Sequence, residues 1–334
     1  MPELRKDPIL GRWVIISTER ALRPMDYKIA KEESKTDLSK CPFEAGNEKM
    51  TPPEIMSYRS PGTKKDEPAW WIRVVPNKFP ALRIEGELDK RGIGLYDMMN
   101  GVGAHEVVVE TPNHNEEIYD MPEKGIEEIL WAWRDRMIDL RKDKRFKYIL
   151  VFKNKGPQAG ASIEHPHSQI MALPIVPLRV TQELGGSKQY FEYKDRCIFC
   201  DIIKQEIEDR ERLVEENEGF VSFVPFAPRF PFELCILPKE HISDYTQITR
   251  SGFSHLAQIL KRTLQRLTKG LEEPPFNLMI HTAPLDDLNL NYYHFHIEIT
   301  PRLTEVAGFE WATGFYINPT KPEETAAYLR EVKL

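Results

Sequence analysis

The motif order in the first half of this chain recurs in the second, and that repeat restricts the fold more than any other feature. In the first half, Cys41-Pro42-Phe43-Glu44 precedes strand-like runs at 70–75 and 106–110, the latter ending near His114. A helix is expected from 123 to about 142, where Ile126, Ile129, Leu130, Trp133, Met137 and Leu140 recur with a 3.6-residue period. A β-run at 148–152 leads to the loop Asn154-Lys155-Gly156, then to His165-Pro166-His167-Ser168-Gln169 and an apolar strand at 170–173. The second half opens on Cys197-Ile198-Phe199-Cys200, with strand-like runs at 220–224 and 232–237 before His241. A second helix is expected from about 249 to 271, striped by Phe253, Leu256, Ile259, Leu260, Leu264 and Leu267. A β-run at 276–280 reaches His281, and the half closes on His294-Phe295-His296-Ile297-Glu298. His165 follows His114 by 51 residues and His294 follows His241 by 53.

Two such units predict an α+β fold of two fused domains, each a mainly antiparallel sheet with a packed long helix. The expected boundary places one domain at 1–180, carrying the His-Pro-His run, and the other at 181–334, carrying the Cys-x-x-Cys. The join is read at 174–187, where Pro174, Pro177, Gly185 and Gly186 punctuate the chain. The length of 334 residues suits this plan.

The net charge of −6 argues against a nucleic-acid binder, which needs cationic excess to displace counterions from phosphates. No apolar run approaches the ~18 residues that span a bilayer. The polar N-terminal residues 1–8 lack a secretory signal pattern. A cytoplasmic globular protein is expected, with neither nucleic acid nor membrane as partner. Cys235, in an apolar run, is expected to be a small buried hydrophobe. The charge run at 31–35 is expected to be a solvated loop. Trp70 and Trp71 suit either core or an interface.

Cys197 and Cys200 are spaced to place two thiolates on one metal ion, and the repeat nominates His241 and His294 as the other ligands. Zinc is expected, since it accepts mixed sulfur and nitrogen ligands in a tetrahedron. The alternative is a redox or unligated thiol pair. The matching set in the first half is Cys41, Glu44, His114 and His165, where a carboxylate replaces one thiolate and makes a harder, weaker site. Four protein ligands would close either shell, so one or two structural zinc ions are expected, and they would hold His165 beside His167.

In a strand, residues two apart face one side, so His165, His167 and Gln169 share a face. A neutral imidazole attacks phosphorus without first losing a proton, and its phospho-imidazolium is a good leaving group. His167 is therefore the expected nucleophile. Ser162 and Gln169 are expected to donate hydrogen bonds to the phosphate oxygens. Gly156 and Gly160 lie in a loop whose backbone N–H groups can face an anion.

The Cys-Pro-Phe opening, Asn77 in the run 75–82, His114 and the Gly-x-Ser-x-x-His-Pro-His-x-Gln run resemble the galactose-1-phosphate uridylyltransferase family, a branch of the histidine-triad superfamily. The resemblance spans about residues 4–334. It implies a ping-pong reaction in which His167 takes the nucleotidyl group of a nucleotide sugar, releases a hexose 1-phosphate, and passes the group to an incoming sugar phosphate. It implies that Asn77, Asn154, Ser162 and Gln169 contact nucleotide or phosphates, and that Arg23, with Pro24, lies near the substrate. It also implies a homodimer, with the tail at 309–318 reaching the partner's site.

Glu298 stands where the first half has Gln169, and no Gly-x-Ser loop precedes His296, so His296 is read as structural or near the substrate. His281 and His296 match positions tied to a second metal in some members, but the Cys197 set is the more complete. The runs 168–174 and 308–319 resemble a subfamily typified by plant ADP-glucose phosphorylase, and Gly314-Phe315-Tyr316 stands where a Gly-Tyr-Glu is familiar. The central Pro166 instead matches the uridylyltransferases. Uridylyl transfer to a hexose 1-phosphate, from UDP-glucose or UDP-galactose, ranks first. Adenylyl transfer from ADP-glucose to phosphate ranks second. A non-catalytic nucleotide-binding module and a dinucleotide-cleaving hydrolase remain as further alternatives.

Overall fold

A computed structural model describes residues 2–18 and 37–334. In chain order the elements are β1 (Glu3–Lys6), β2 (Trp13–Ile16), β3 (Met56–Arg59), β4 (Trp70–Pro76), β5 (Arg91–Ile93), β6 (Tyr96–Met98), β7 (Ala104–Val109), α1 (Glu123–Leu140), β8 (Tyr148–Lys155) and β9 (His167–Leu173). The chain continues through α2 (Leu178–Lys194), α3 (Ile198–Asp209), β10 (Leu213–Glu216), β11 (Phe220–Phe223), β12 (Leu234–Pro238), α4 (Arg250–Gly270), β13 (Phe276–His281), β14 (His296–Pro301), α5 (Gly308–Thr313), β15 (Tyr316–Asn318) and α6 (Pro322–Glu331).

Ten strands form one sheet in the order β10-β11-β12-β14-β13-β8-β9-β7-β4-β3. Each half contributes five strands in the same topology: first, second, third, fifth, fourth. The halves meet where the two fourth strands pair antiparallel, Phe276 opposite Lys155 and Ile280 opposite Val151. Equivalent strands paired antiparallel relate the halves by an approximate twofold axis. β1, β2 and β15 form a separate small sheet, with β15 parallel to β2, and β5 and β6 form a hairpin.

Both expected helices form. Every apolar position of the two stripes is buried, and the Thr249 side chain caps α4 by accepting from Gly252 N–H. α1 and α4 pack together on one face of the sheet. The core beneath them joins Trp133 and Ile149 of the first half to Leu264 and Phe295 of the second. Buried ties bind α1 to the strands of its half. Trp133 Nε1 donates to Ser168 Oγ at 2.7 Å, and Arg136 holds Glu106 with two contacts of 2.7 Å.

Three local expectations change. The segment 174–187 is not a loop, because α2 begins at Leu178 and runs through both glycines. Gly186 serves close approach rather than a turn, since a Cβ there would lie 1.8 Å from the Ile9 carbonyl oxygen. β8 continues through Asn154 and Lys155, in place of the expected loop. Cys235 is half-buried and faces away from the helices, because it alternates with the core residues Leu234 and Ile236. The adjacent tryptophans also divide, Trp70 buried and Trp71 exposed, but a register shift opposite them breaks the alternation: Trp70 packs with Val75, Val107 and Val109 on the face away from the helices, not with Ile72 and Val74.

Candidate active site and metal clusters

The sheet face opposite α1 and α4 carries the polar chemistry. Period two sends Ser168, Ile170 and Ala172 of β9 toward the helices and His167 and Gln169 to the open face. His167 is buried beside Phe43, with ring centroids 5.2 Å apart. Its Nδ1 lies 2.8 Å from the His165 carbonyl oxygen, which can only accept, so the proton sits on Nδ1 and the Nε2 lone pair is free. Burial holds the His167 pKa down to about 4, so the imidazole is neutral near pH 7.

Other candidate residues surround it. Gln169 Oε1 lies 2.8 Å from His105 Nε2. Asn77 follows β4, and its Oδ1 accepts from Phe79 N–H at 2.9 Å. Asn154, on β8, accepts from Asn277 Nδ2 at 2.7 Å, and Asn277 also donates to the Ala159 carbonyl at 2.8 Å. A residue of the second half thereby braces the 156–160 loop of the first. Gly156 and Gly160 have positive φ, at 82° and 89°, the conformation that lets this loop turn tightly. Ser162 is exposed just before the histidines. Arg23, Pro24 and the charge run 31–35 lie outside the described residues.

Both expected metal sets assemble. The ligand atoms of Cys197, Cys200, His241 and His294 lie within 4.8 Å of one another, and so do those of Cys41, Glu44, His114 and His165. In the second-half cluster, Cys197 Sγ to His294 Nδ1 and Cys200 Sγ to His241 Nδ1 are each 3.5 Å. That is about the edge, ~3.5 Å, of a tetrahedron of sulfur and imidazole ligands around one ion. His241 and His294 turn Nε2 to the carbonyls of Leu290 and Glu240 at 2.9 and 3.1 Å, which puts the proton on Nε2 and leaves Nδ1 for a metal. A hydrogen bond from Cys197, aided by His241, draws the Cys200 pKa down to about 5 and favours a thiolate.

The first-half cluster is tighter on one edge. Cys41 Sγ to His165 Nδ1 is 3.7 Å and His165 Nδ1 to Glu44 Oε1 is 3.3 Å, but His114 Nδ1 sits 2.8 Å from Glu44 Oε1. That last contact is a hydrogen bond length rather than a ligand edge. His165 Nε2 donates to the Thr111 carbonyl at 2.8 Å, whereas His114 Nε2 is buried without a partner.

A third group, Glu183, His281, His296 and Glu298, meets the same spacing. Sequence pattern gives no sign of Glu183, on α2, because no spacing links a helix residue to strands about a hundred positions away. Here the carboxylates already hold cations. Arg179 pairs with both Glu183 and Glu298, and Arg229 reaches Glu298 at 2.8 Å. Against the lowering effect of burial, Glu183 and Glu298 raise the His281 pKa to about 10. His296 repeats the geometry of His167, with Nδ1 3.2 Å from the His294 carbonyl, and lines a cavity of 410 Å³ with Cys235 and Glu298.

Residues 1–177 match the N-terminal domain of galactose-1-phosphate uridyl transferase and residues 183–330 match its C-terminal domain. The chain belongs to the galactose-1-phosphate uridylyltransferase family. It is an enzyme of the nucleotidyl-transferring kind. It is 41% identical to the ADP-glucose phosphorylase of Arabidopsis thaliana, over 100% of this chain and 93% of that protein. It is 33% identical to the galactose-1-phosphate uridylyltransferase of Thermotoga maritima, over 100% of this chain and 99% of that one. The crystal structure of the Arabidopsis ADP-glucose phosphorylase with bound ADP-glucose superimposes with a TM-score of 0.85 at 40% identity, covering 100% of both chains. No helix among the described residues is long and apolar enough to cross a membrane.

Proposed function

We propose that the chain transfers a uridylyl group from a UDP-hexose to a hexose 1-phosphate through a covalent intermediate on His167. The observation that carries this reading is the hydrogen bond of His167 Nδ1 to the His165 carbonyl, which turns Nε2 to the open face beside Gln169. Nε2 attacks the α-phosphorus, an N–P bond forms, and the bond from phosphorus to the oxygen of hexose 1-phosphate breaks. The incoming hexose 1-phosphate then attacks the same phosphorus and returns Nε2 to its starting state. Hydrogen bonding of Nδ1 to the His165 carbonyl stabilises the positive charge the ring acquires. Gln169, Ser162, Asn77, Asn154 and Arg23 would hold nucleotide and phosphates.

Zinc suits both clusters, since it accepts sulfur, imidazole and carboxylate ligands in four-coordination. Cys197, Cys200, His241 and His294 would hold one ion and Cys41, Glu44, His114 and His165 another, each supplying a cross-link rather than an open coordination position. The third cluster fits a metal less well, because guanidinium groups already compensate its carboxylates. A homodimer is supported by the apolar surface of the β5–β6 hairpin, where Ile93, Leu95 and Tyr96 are all exposed. The chemistry and the polar surface suit a cytoplasmic enzyme.

A second reading, adenylyl transfer from ADP-glucose to phosphate, draws on the higher identity to the Arabidopsis phosphorylase than to the Thermotoga uridylyltransferase. Intact-protein mass after brief incubation with UDP-glucose, or with ADP-glucose, separates the two. A UMP-sized adduct discharged by galactose 1-phosphate supports uridylyl transfer, and an AMP-sized adduct discharged by phosphate supports the phosphorylase. No adduct with either, on metal-loaded protein, removes the covalent mechanism. His167→Ala should form none.

A further inference from the structure

We infer that His105 is a positioning residue that orients the Gln169 amide so that its NH2 group, not its oxygen, faces the phosphate. This rests on the nucleotidyl-transfer reading above. His105 lies on β7 on the same open face as Val107 and Val109, and Val107 is the direct cross-strand neighbour of Gln169. The His105 ring therefore reaches Gln169 on the diagonal.

The tautomer follows from one donor. The backbone N–H of Ala81 donates to His105 Nδ1 at 3.2 Å, and a backbone N–H cannot accept. Nδ1 must then carry the lone pair, which puts the proton of the neutral ring on Nε2. That proton goes to Gln169 Oε1 at 2.8 Å. With its oxygen engaged, Gln169 turns its two amide hydrogens the other way. A carboxamide with the opposite orientation would aim an oxygen at an anionic phosphate and repel it.

Asn77 obeys the same logic. Phe79 N–H occupies its Oδ1, so its NH2 lies toward His105, 3.2 Å from Nε2. Nε2 already bears a hydrogen, so that contact is one donor beside another. His105 therefore offers Asn77 no acceptor, and an anion bound over this face would supply one. The His105 carbonyl also accepts from Asn77 N–H at 2.8 Å, so one residue sets the place of both amides.

The test is a double-mutant cycle on the metal-loaded enzyme, read as the rate of His167 adduct formation with UDP-glucose and with ADP-glucose. His105→Phe removes the donor while keeping a flat ring. It is expected to slow the step about tenfold to a hundredfold with little change in KM, as a misplaced group does. In a Gln169→Ala background the same change should cost less than about twofold, because the group it acts through is gone. His105→Gln, whose amide can donate from a similar place, should restore most of the rate. Equal losses in both backgrounds, or no loss in the parent, would overturn the inference. Long-range 15N NMR of the histidine rings gives an independent reading. It should find the His105 proton on Nε2, and a proton on Nδ1 overturns the proposal. Because that measurement needs no turnover, absence of any adduct in the parent enzyme would count against nucleotidyl transfer and not against the orientation of Gln169.

Discussion

Two adjacent glycines in α2 stand in opposite circumstances. Gly185 is exposed, and a Cβ added there would meet nothing within 4 Å, whereas one added at Gly186 would sit 1.8 Å from the Ile9 carbonyl oxygen. Gly185→Ala should raise stability by up to about 1 kcal/mol, because alanine loses less backbone entropy in a helix. Gly186→Ala should lower it by roughly 1–3 kcal/mol, since helix and N-terminal segment must part. Urea midpoints of the two variants check the pair, and equal shifts would refute the close-approach account. Lys153 gives a second residue-scale expectation. Its ammonium is buried on the helix side of β8, 2.8 Å from Glu110 and 3.2 Å from Glu117. Lys153→Met should cost about 3–5 kcal/mol by stranding buried carboxylates, and adding Glu110→Gln should recover part of it. Thermal or urea unfolding of the single and double variants reads both effects. At this scale the sequence is most legible where period two applies. The shared face of His167 and Gln169 follows from spacing alone, whereas the burial of Trp70 rather than Trp71 depends on a register shift in the β3–β4 ladder that no alternation predicts. His105 obeys period two, yet it stands alone before an apolar run. Its meaning depends on the backbone of Ala81, which no pattern reveals.

At the scale of elements, the candidate metal clusters tie the start of each repeat to its end. Cys197 precedes the first turn of α3 and Cys200 lies within it, while His241 follows β12 and His294 precedes β14. An ion there would clamp α3 onto the sheet. Chelation should therefore speed amide exchange in α3 and around residues 282–295 while leaving α1 and α4 protected. The first-half cluster, with one thiolate and a Glu44–His114 hydrogen bond in competition, should lose its metal at lower chelator concentration than the second. Exchange mass spectrometry alongside metal release tests both statements, and uniform deprotection of the helices would contradict them. The ligand sets are readable because the repeat supplies each partner's position. α2 and α3 are hidden from pattern reading: prolines and paired glycines mark the first as a join, and the Cys-x-x-Cys dominates the start of the second. For α2 the decisive influence is tertiary. It is held by the approach of Gly186 to Ile9, and its Glu183 meets the end of β13 through His281 and the turn before β14 through Tyr293.

For the whole molecule, the doubled topology raises the question of whether the halves are two folding units or one. The sheet runs unbroken across the β8–β13 seam, and the main core draws side chains from both halves. α1 and α4 pack on each other across the approximate twofold, and Tyr245 of the second half donates to the Leu130 carbonyl of the first at 3.0 Å. Separation would expose two long strand edges and the apolar faces of both helices. No half could bury its own core as the pair does. The metal-loaded protein should therefore unfold in a single transition, with calorimetric and van't Hoff enthalpies equal, despite its two repeats. Chains cut at residue 177 should fold only when both pieces are present. Two resolved transitions, or a folded isolated piece, would show that the seam is an interface between independent domains. The seam also bears on chemistry, because Asn277 crosses it to brace Asn154 and the loop before His167. Asn277→Ala should then slow adduct formation at His167 although Asn277 belongs to the half without the nucleophile. Asn277 is buried and also accepts from Arg302, so the change should cost about 1–3 kcal/mol by leaving the Ala159 carbonyl and Arg302 unpaired, but the rate should fall by more than that loss explains at temperatures where the variant is fully folded. A variant that melts early in proportion to its lost rate would instead mark Asn277 as a stability residue.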